Sequence, residues 1–336
     1  MRYDVAMLSM GVSSRREFLA VAAAVGSTAL LRAADGAPDR KLEGIFPIVQ
    51  TPFTDSGALD ADTLAREAQF LHRAGVQGMT WPQNASEYSA LSFEERLAGA
   101  ETIIRANHAL NAEKRSAVVI GVQASDTETA VKYARHADKL GADAIIAIPL
   151  NGGKDEASQI EYYAAIGGAC SRPLIAQTLG PMSVDLVLRM AKQIPTLRYA
   201  KDEAGVTLPR LTEYRKRGQI LRGVFTGKHG PTFLDDLARG AVGNMPAAGF
   251  ADLYVAAWQA WISGRREEAM DAFSRTLPLI MDAQAYGIAG QKYILQLRGV
   301  FPNSKCRAEG AATVFDDDAK DAIRRTVDHA KRWFKT

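Results

Sequence analysis

The feature that most limits what this chain can become is an alternation. From Lys41 onward, short unbroken apolar runs take turns with stretches whose apolar residues recur at helical spacing. The runs are Gly44–Val49, Val76–Trp81, Ala117–Gln123, Ala144–Ile148, Pro173–Thr178, Leu197–Lys201, Ile220–Thr226 and Ala241–Ala247. A short run without polar alternation is the pattern of a strand buried on both faces, and such strands belong to parallel sheets covered by helices. The intervals read as helices over Asp60–Gly75, Ser92–His108, Thr127–Gly141, Val184–Gln193 and Thr232–Arg239. Ser92-Phe93-Glu94-Glu95 has the capping-box pattern, and Ser125-Asp126-Thr127 is a good helix start. Eight strand–helix units predict an α/β fold, a closed (β/α)8 TIM barrel rather than an open doubly wound sheet. No GxGxxG follows a strand, which counts against dinucleotide binding. Further helices over Tyr254–Ser263, Arg265–Tyr286, Gly290–Arg298 and Asp317–Phe334 exceed what closure needs. The reading is therefore a barrel over 38–263 and a C-terminal helical extension over 264–336.

Residues 1–37 stand apart. Ser14-Arg15-Arg16-Glu17-Phe18-Leu19 precedes the small apolar run Ala20–Leu31, then Arg32-Ala33-Ala34-Asp35-Gly36-Ala37-Pro38. A charged pair, a moderately apolar stretch and small residues describe an export signal, here of twin-arginine type, with processing expected near Ala34–Ala37. The run is too short to span a bilayer comfortably. The expectation is a bacterial protein exported folded, hence periplasmic or secreted, with no membrane span in the mature chain. Composition narrows the partners: 41 Lys and Arg against 38 Asp and Glu, with no long basic run, argue against nucleic acid. Cys170 and Cys306 are too few for a disulfide framework or a zinc site; whether they form one bridge the sequence leaves open.

In a barrel of this kind the active site lies at the carboxyl ends of the strands. Those ends carry Thr51, Pro82 to Glu87, Gln123, Pro149 to Asn151, Gln177-Thr178, Lys201 to Glu203, Thr226 to His229 and Met245 to Gly249. Lys201 alone among the lysines ends a strand's apolar run directly. Burial disfavours an ammonium, and an uncharged amine can attack a carbonyl to form a Schiff base. The plainer alternative is a lysine that leaves the sheet and reaches water. Tyr199 lies two residues earlier, so period-two alternation puts it on the same face, one layer deeper. Tyr199, His229 and Glu203 are candidate proton carriers. Each also has an ordinary reading: barrel packing, a solvated loop and a helix-start acid. Lys228 could lie near Lys201, bind an anionic substrate, or be a surface lysine.

Several segments then occur together in order: Thr51-Pro52-Phe53, Glu87-Tyr88-Ser89-Ala90-Leu91-Ser92 with Glu94 or Glu95, Ala200-Lys201-Asp202-Glu203-Ala204-Gly205, Thr226-Gly227 and Gln291-Lys292-Tyr293-Ile294. With them the chain after the signal resembles the dihydrodipicolinate synthase / N-acetylneuraminate lyase family of class I, Schiff-base aldolases. The resemblance implies that Lys201 captures pyruvate or another 2-oxo acid without metal or organic cofactor, in a homotetramer or dimer. It departs at the loop Gln83-Asn84-Ala85-Ser86, where Asn84 and Ser86 side chains and backbone N–H groups, Ala85 included, would hold the substrate carboxylate. Gln177 stands where the family carries its proton-relaying tyrosine; an amide can orient water or substrate but does not titrate. Met182 stands near the family's arginine and Leu150-Asn151 at its aromatic pair, which argues against dihydrodipicolinate synthesis itself. The implied activity is a lyase or aldolase acting on a 2-oxo acid such as a 2-keto-3-deoxy sugar acid, with Lys201 and Tyr199 catalytic. Asn84, Ala85, Ser86, Gln177 and Met245 would bind substrate. The alternatives are a periplasmic 2-oxo-acid binding protein that lost turnover, and a hydro-lyase of the same family.

Overall fold

In the computed structural model, which describes residues 40–110 and 115–336, strands and helices alternate as the apolar pattern requires. In chain order they are β1 (Gly44–Ile45), α1 (Ala61–Ala74), β2 (Gly78–Trp81), α2 (Phe93–His108), β3 (Ala117–Gly121), α3 (Thr127–Leu140), β4 (Ala144–Ala147), α4 (Glu156–Gly168), β5 (Leu174–Thr178) and α5 (Val184–Gln193). There follow β6 (Leu197–Asp202), α6 (Thr207–Lys216), β7 (Gly223–Thr226), α7 (Phe233–Ala238), β8 (Gly243–Asn244) and the helices α8 (Ala251–Ile262), α9 (Arg266–Ser274), α10 (Leu277–Ala285), α11 (Gly287–Leu297) and α12 (Asp317–Ala330). The signal read over 1–37 lies outside the described residues. No helix among the described residues is long and apolar enough to cross a membrane.

All neighbouring strands are parallel, in the order β1-β8-β7-β6-β5-β4-β3-β2. The circle closes where Thr80 N–H donates to Pro47 O at 2.9 Å and Val49 N–H donates to Thr80 O at 3.0 Å. This is the TIM barrel expected from the alternation, with the C-terminal helices in place. One parity of the strands and their immediate extensions fills the interior: Phe46, Ile48, Val119, Ile146, Ile175, Tyr199, Phe225 and Met245 pack together there. The other parity, including Ala176, Ala200 and Val224, packs under the helices. Helix ends follow the capping rules. Asp60 accepts from Thr63 N–H at 2.9 Å to start α1, and Ser92 and Glu95 exchange the two hydrogen bonds of a capping box at α2.

Three expectations about elements need correction. The helix expected over Arg265–Tyr286 is two helices. Pro278 lacks an N–H, and its ring conflicts with the preceding turn, so it starts α10 instead of lying inside a longer helix. The apolar residues Ile220 and Leu221 precede β7 rather than join it, and β8 is only two residues long. Cys170 and Cys306 are both free thiols.

Candidate active site

Strand parity assembles the cavity at the carboxyl end of the barrel. The register sets Lys201 opposite Gln177 on β5 and Phe225 on β7, so Lys201 and Gln177 face inward together. Glu203, two residues further, shares that side. A cavity of about 170 Å³ is lined there by Ile48, Gln83, Asn84, Ala85, Gln177, Lys201, Glu203, Lys228, His229, Met245, Pro246, Ala247 and Gln291. Lys201 is only 3 % exposed. Its Nζ lies 3.3 Å from Glu203 Oε2.

Glu203 is held at both oxygens. Oε2 accepts from Gln177 Nε2, and Oε1 accepts from the Lys228 N–H at 2.8 Å. Asp202, with the opposite parity, turns away from the lumen and takes Arg210 Nη2 at 2.8 Å, Arg210 Nε at 2.9 Å and Thr178 Oγ1 at 3.0 Å. Thr178 Oγ1 in turn accepts the N–H groups of Glu203 and Ala204 at 3.0 and 3.1 Å. The strand therefore leaves the barrel with its backbone pinned, and Glu203 has little freedom to swing off the lysine.

The turn after β7 closes over this pair. Lys228 and His229 both have left-handed backbone (φ 52° and 61°), sparsely populated for side chains other than glycine. The Tyr254 hydroxyl donates to His229 O and holds the turn. A Cβ at Gly227 would lie 1.8 Å from Glu203 Oε1 and 2.8 Å from Lys201 Cε, so only glycine lets the chain pass this close. Burial pushes the His229 imidazole down to about 4, with the Lys201 charge lowering it further against the opposing pull of Glu203. Near neutral pH the ring is uncharged. It is a neutral hydrogen-bonding group and a weak base rather than the titrating imidazole expected from an ordinary histidine. The Lys228 ammonium donates to Gly205 O at 2.8 Å.

Two expected site residues are elsewhere. Tyr199 faces the lumen, but its hydroxyl accepts from Leu42 N–H at 3.1 Å, just before β1 and therefore at the amino end of the barrel. It packs the interior beside Phe225 and does not line the cavity. Ser86 is also spent on structure: its hydroxyl donates to Val49 O at 2.5 Å and accepts the Gln83 N–H at 3.0 Å. Asn84 and Ala85, which head the short turn Asn84–Ser86, line the cavity as expected, and so do Gln177 and Met245. The N–H groups that open such a turn have no partner within it, so they can hold a carboxylate. Gln83 and Gln291, for which the sequence indicated no substrate-binding role, also line the cavity. Gln291 comes from α11, and nothing local to a helix tells that it returns to the barrel mouth.

Residues 41–330 match the dihydrodipicolinate synthetase family. The chain is 30 % identical over 274 residues to an L-2-keto-3-deoxyarabonate dehydratase of Azospirillum brasilense, covering 79 % of this chain and 87 % of that one. It is 28 % identical over 280 residues to an Escherichia coli protein named as a probable 2-dehydro-3-deoxy-D-pentonate aldolase, covering 80 % and 91 %. Among solved structures, dihydrodipicolinate synthase from Rhodopseudomonas palustris superposes with a TM-score of 0.76 at 24 % identity over 86 % of this chain and 97 % of that one. Sialic acid aldolase of Ruminococcus gnavus gives 0.77 at 20 % over 88 % and 100 %. The structural likeness is one of fold, whereas the sequence match runs from the start of the barrel into the last helix. On that match the chain belongs to the dihydrodipicolinate synthetase family and is a lyase of its class I aldolase type.

Proposed function

We propose that Lys201 forms a Schiff base with the ketone of a 2-keto-3-deoxy sugar acid and that the protein removes water from it. The observation that carries the reading is Lys201, a residue 3 % exposed that lines a cavity with a carboxylate 3.3 Å from its amine. The names of the Azospirillum and Escherichia relatives, a dehydratase and an aldolase of 2-keto-3-deoxy sugar acids, support the substrate class. Lys201 Nζ adds to the C2 carbonyl, water leaves and an iminium forms. Glu203 takes a proton from C3 to give the enamine. The electron pair then returns through C3, forming the C3–C4 double bond as the C4 hydroxyl leaves, and Glu203 gives that hydroxyl its proton so that it departs as water. Hydrolysis of the conjugated iminium frees the product and restores the amine. Gln177 holds the carboxylate in place and carries no proton, while Asn84 and the N–H groups of Asn84 and Ala85 take the substrate carboxylate. Met245 packs against the chain of the acid.

Borohydride reduction in the presence of pyruvate or the sugar acid should fix a covalent adduct on the peptide containing Lys201, and none in Lys201→Ala. An unmodified lysine at saturating ligand rejects the mechanism. Release of pyruvate from the sugar acid, instead of a product with every carbon retained, would replace dehydration by cleavage.

The mature enzyme is proposed to work outside the cytoplasm, on the strength of Arg15-Arg16 and the apolar run behind them. A cell-envelope preparation whose protein still begins at Met1 would reject this. Ile262, Met270, Leu277 and Met281 are large apolar side chains exposed on α8, α9 and α10, which supports a homodimer or homotetramer. Light scattering that returns the monomer mass overturns that part.

A further inference from the structure

Three residues lining the cavity each hold a buried polar atom with no hydrogen-bond partner among the described residues: Gln83 Oε1, Gln177 Oε1 and His229 Nδ1. Leaving a buried acceptor unmet is expensive, so such atoms mark places reserved for a ligand or water. Both amides are fixed in orientation by the protein. Gln83 Nε2 donates to Pro82 O at 3.0 Å and to Gln123 Oε1 at 3.1 Å, while Gln123 Nε2 donates to the same Pro82 O at 2.8 Å. Exchanging the Gln83 amide atoms would set its oxygen against both of those oxygens. Gln177 Nε2 is committed to the Glu203 carboxylate, and exchange would again oppose oxygen to oxygen. The two free amide oxygens can therefore only accept. His229, uncharged near neutral pH, offers Nδ1 as donor or acceptor according to its tautomer. A hydroxyl satisfies either.

We propose that the substrate's chain beyond the ketone carries hydroxyl groups whose protons are received by Gln177 Oε1 and Gln83 Oε1 and which meet His229 Nδ1, making these three residues the readers of substrate hydroxylation. The inference rests on Lys201 as the imine-forming residue, since that bond sets where the chain lies. It follows that an acid lacking hydroxyls strands the acceptors, and that a dicarboxylic 2-oxo acid brings a second anion against accept-only oxygens. Sites built around a substrate hydroxyl discriminate strongly against analogues without it.

The test uses the whole enzyme and reads binding rather than turnover. The half-saturating concentration for the borohydride-fixed Lys201 adduct is measured with 2-oxopentanoate, 5-hydroxy-2-oxopentanoate, 4,5-dihydroxy-2-oxopentanoate and 2-oxoglutarate, sampling before product accumulates. Each added hydroxyl should lower it by roughly ten- to a hundredfold, the range set by leaving a buried polar group unmet, and 2-oxoglutarate should be the weakest. Gln83→Met should lose the response to one hydroxyl, its half-saturation changing between the hydroxylated acids by one step (about tenfold or more) fewer than in the wild type. Should that variant fail to fold, the wild-type series decides alone. Adducts that form with all four acids at half-saturations within about twofold of one another, well below that range, overturn the inference and leave the Schiff-base reading standing. An adduct with none of them overturns that reading and the inference with it.

Discussion

Replacing Glu203 by glutamine separates the proton from the shape. The amide is nearly the same size. It can keep the hydrogen bond from the Lys228 N–H through its oxygen, and Gln177 can turn its own free oxygen toward the new N–H group. The surrounding backbone is held independently by Thr178 Oγ1 and the Asp202–Arg210 pair, so the fold should persist. What is lost is a group able to take and return the C3 proton. General acid–base catalysis typically contributes 10²- to 10⁴-fold, so Glu203→Gln should slow proton removal by that factor, about 3–5 kcal/mol of barrier. Exchange of the pyruvate methyl protons with D₂O, followed by NMR, reads this step without needing the natural substrate. Borohydride trapping of pyruvate in the same sample reads imine formation. Slow exchange with trapping retained is the expected outcome. Exchange within about threefold of the wild type, well short of the acid–base range, would remove Glu203 from proton transfer. Loss of trapping together with exchange would make it a positioning group for Lys201 instead.

Three further outcomes follow from buried charge. Lys292 and Glu87 form an ion pair with both side chains fully buried, and Lys292→Met would leave the carboxylate with only the N–H groups of Arg307 and Ala308, costing about 3–5 kcal/mol; an unchanged denaturant midpoint would show the pair to be idle. His229 ionises near pH 4 in the folded chain and at its ordinary 6.5 when unfolded, so the unfolded state alone takes up the proton between those values. The contribution of His229 should therefore be full above pH 6.5 and fall by about 3 kcal/mol as pH drops toward 4. His229→Asn, which tolerates the left-handed backbone, should flatten that slope, and an unaltered slope would refute the assignment. Glu67 is wholly buried, and burial holds its carboxyl well above the usual range despite the Gln50 N–H and the nearby Lys292. Ionising Glu67 is harder in the folded chain than in the unfolded one, so its own contribution to stability rises as pH falls toward 4.5. Glu67→Gln should be more stable than wild type at pH 8, as urea unfolding will show, and a less stable variant would contradict this.

Much of the architecture was legible because apolar continuity is a strong signal. Ala144–Ala147 and Ala117–Gly121 have no polar residue to dilute it, and capping residues such as Asp60, Ser92 and Asp126 mark helix starts chemically. Lys201 was legible for the same reason, as a charge placed where an apolar run stops. What stayed hidden depends on where side-chain tips go. Ser86 sits in the expected loop, yet Val49 O needs a donor and takes its hydroxyl. Gln291 arrives from a helix 90 residues beyond Lys201 in the chain. His229 looked like an ordinary titrating imidazole until burial was known, and burial is a property of the turn around it.

Tyr199 and Glu203 show why strand parity is half an argument. Residues 199 and 201 of β6 and residue 203 just past its end all fall on one side, so alternation makes tyrosine and glutamate equal candidates to serve the lysine. The strand's direction breaks the tie. Chemistry in a barrel is at the carboxyl end, so the residue after the lysine rises to the mouth, while the residue before it descends into the packed interior. There its hydroxyl meets Leu42 N–H. The same direction explains Gln177. It sits opposite Lys201, and its amide, which cannot carry a proton, holds the Glu203 carboxylate. Gly227 is the counterpart just after the neighbouring strand β7, since a side chain there would occupy the space of Glu203 Oε1. Gly227→Ala should therefore displace Glu203 or open the β7 turn, and proton exchange should fall even though no titrating group has changed. Exchange at the wild-type rate in that variant would mean the carboxylate's present position is not the working one.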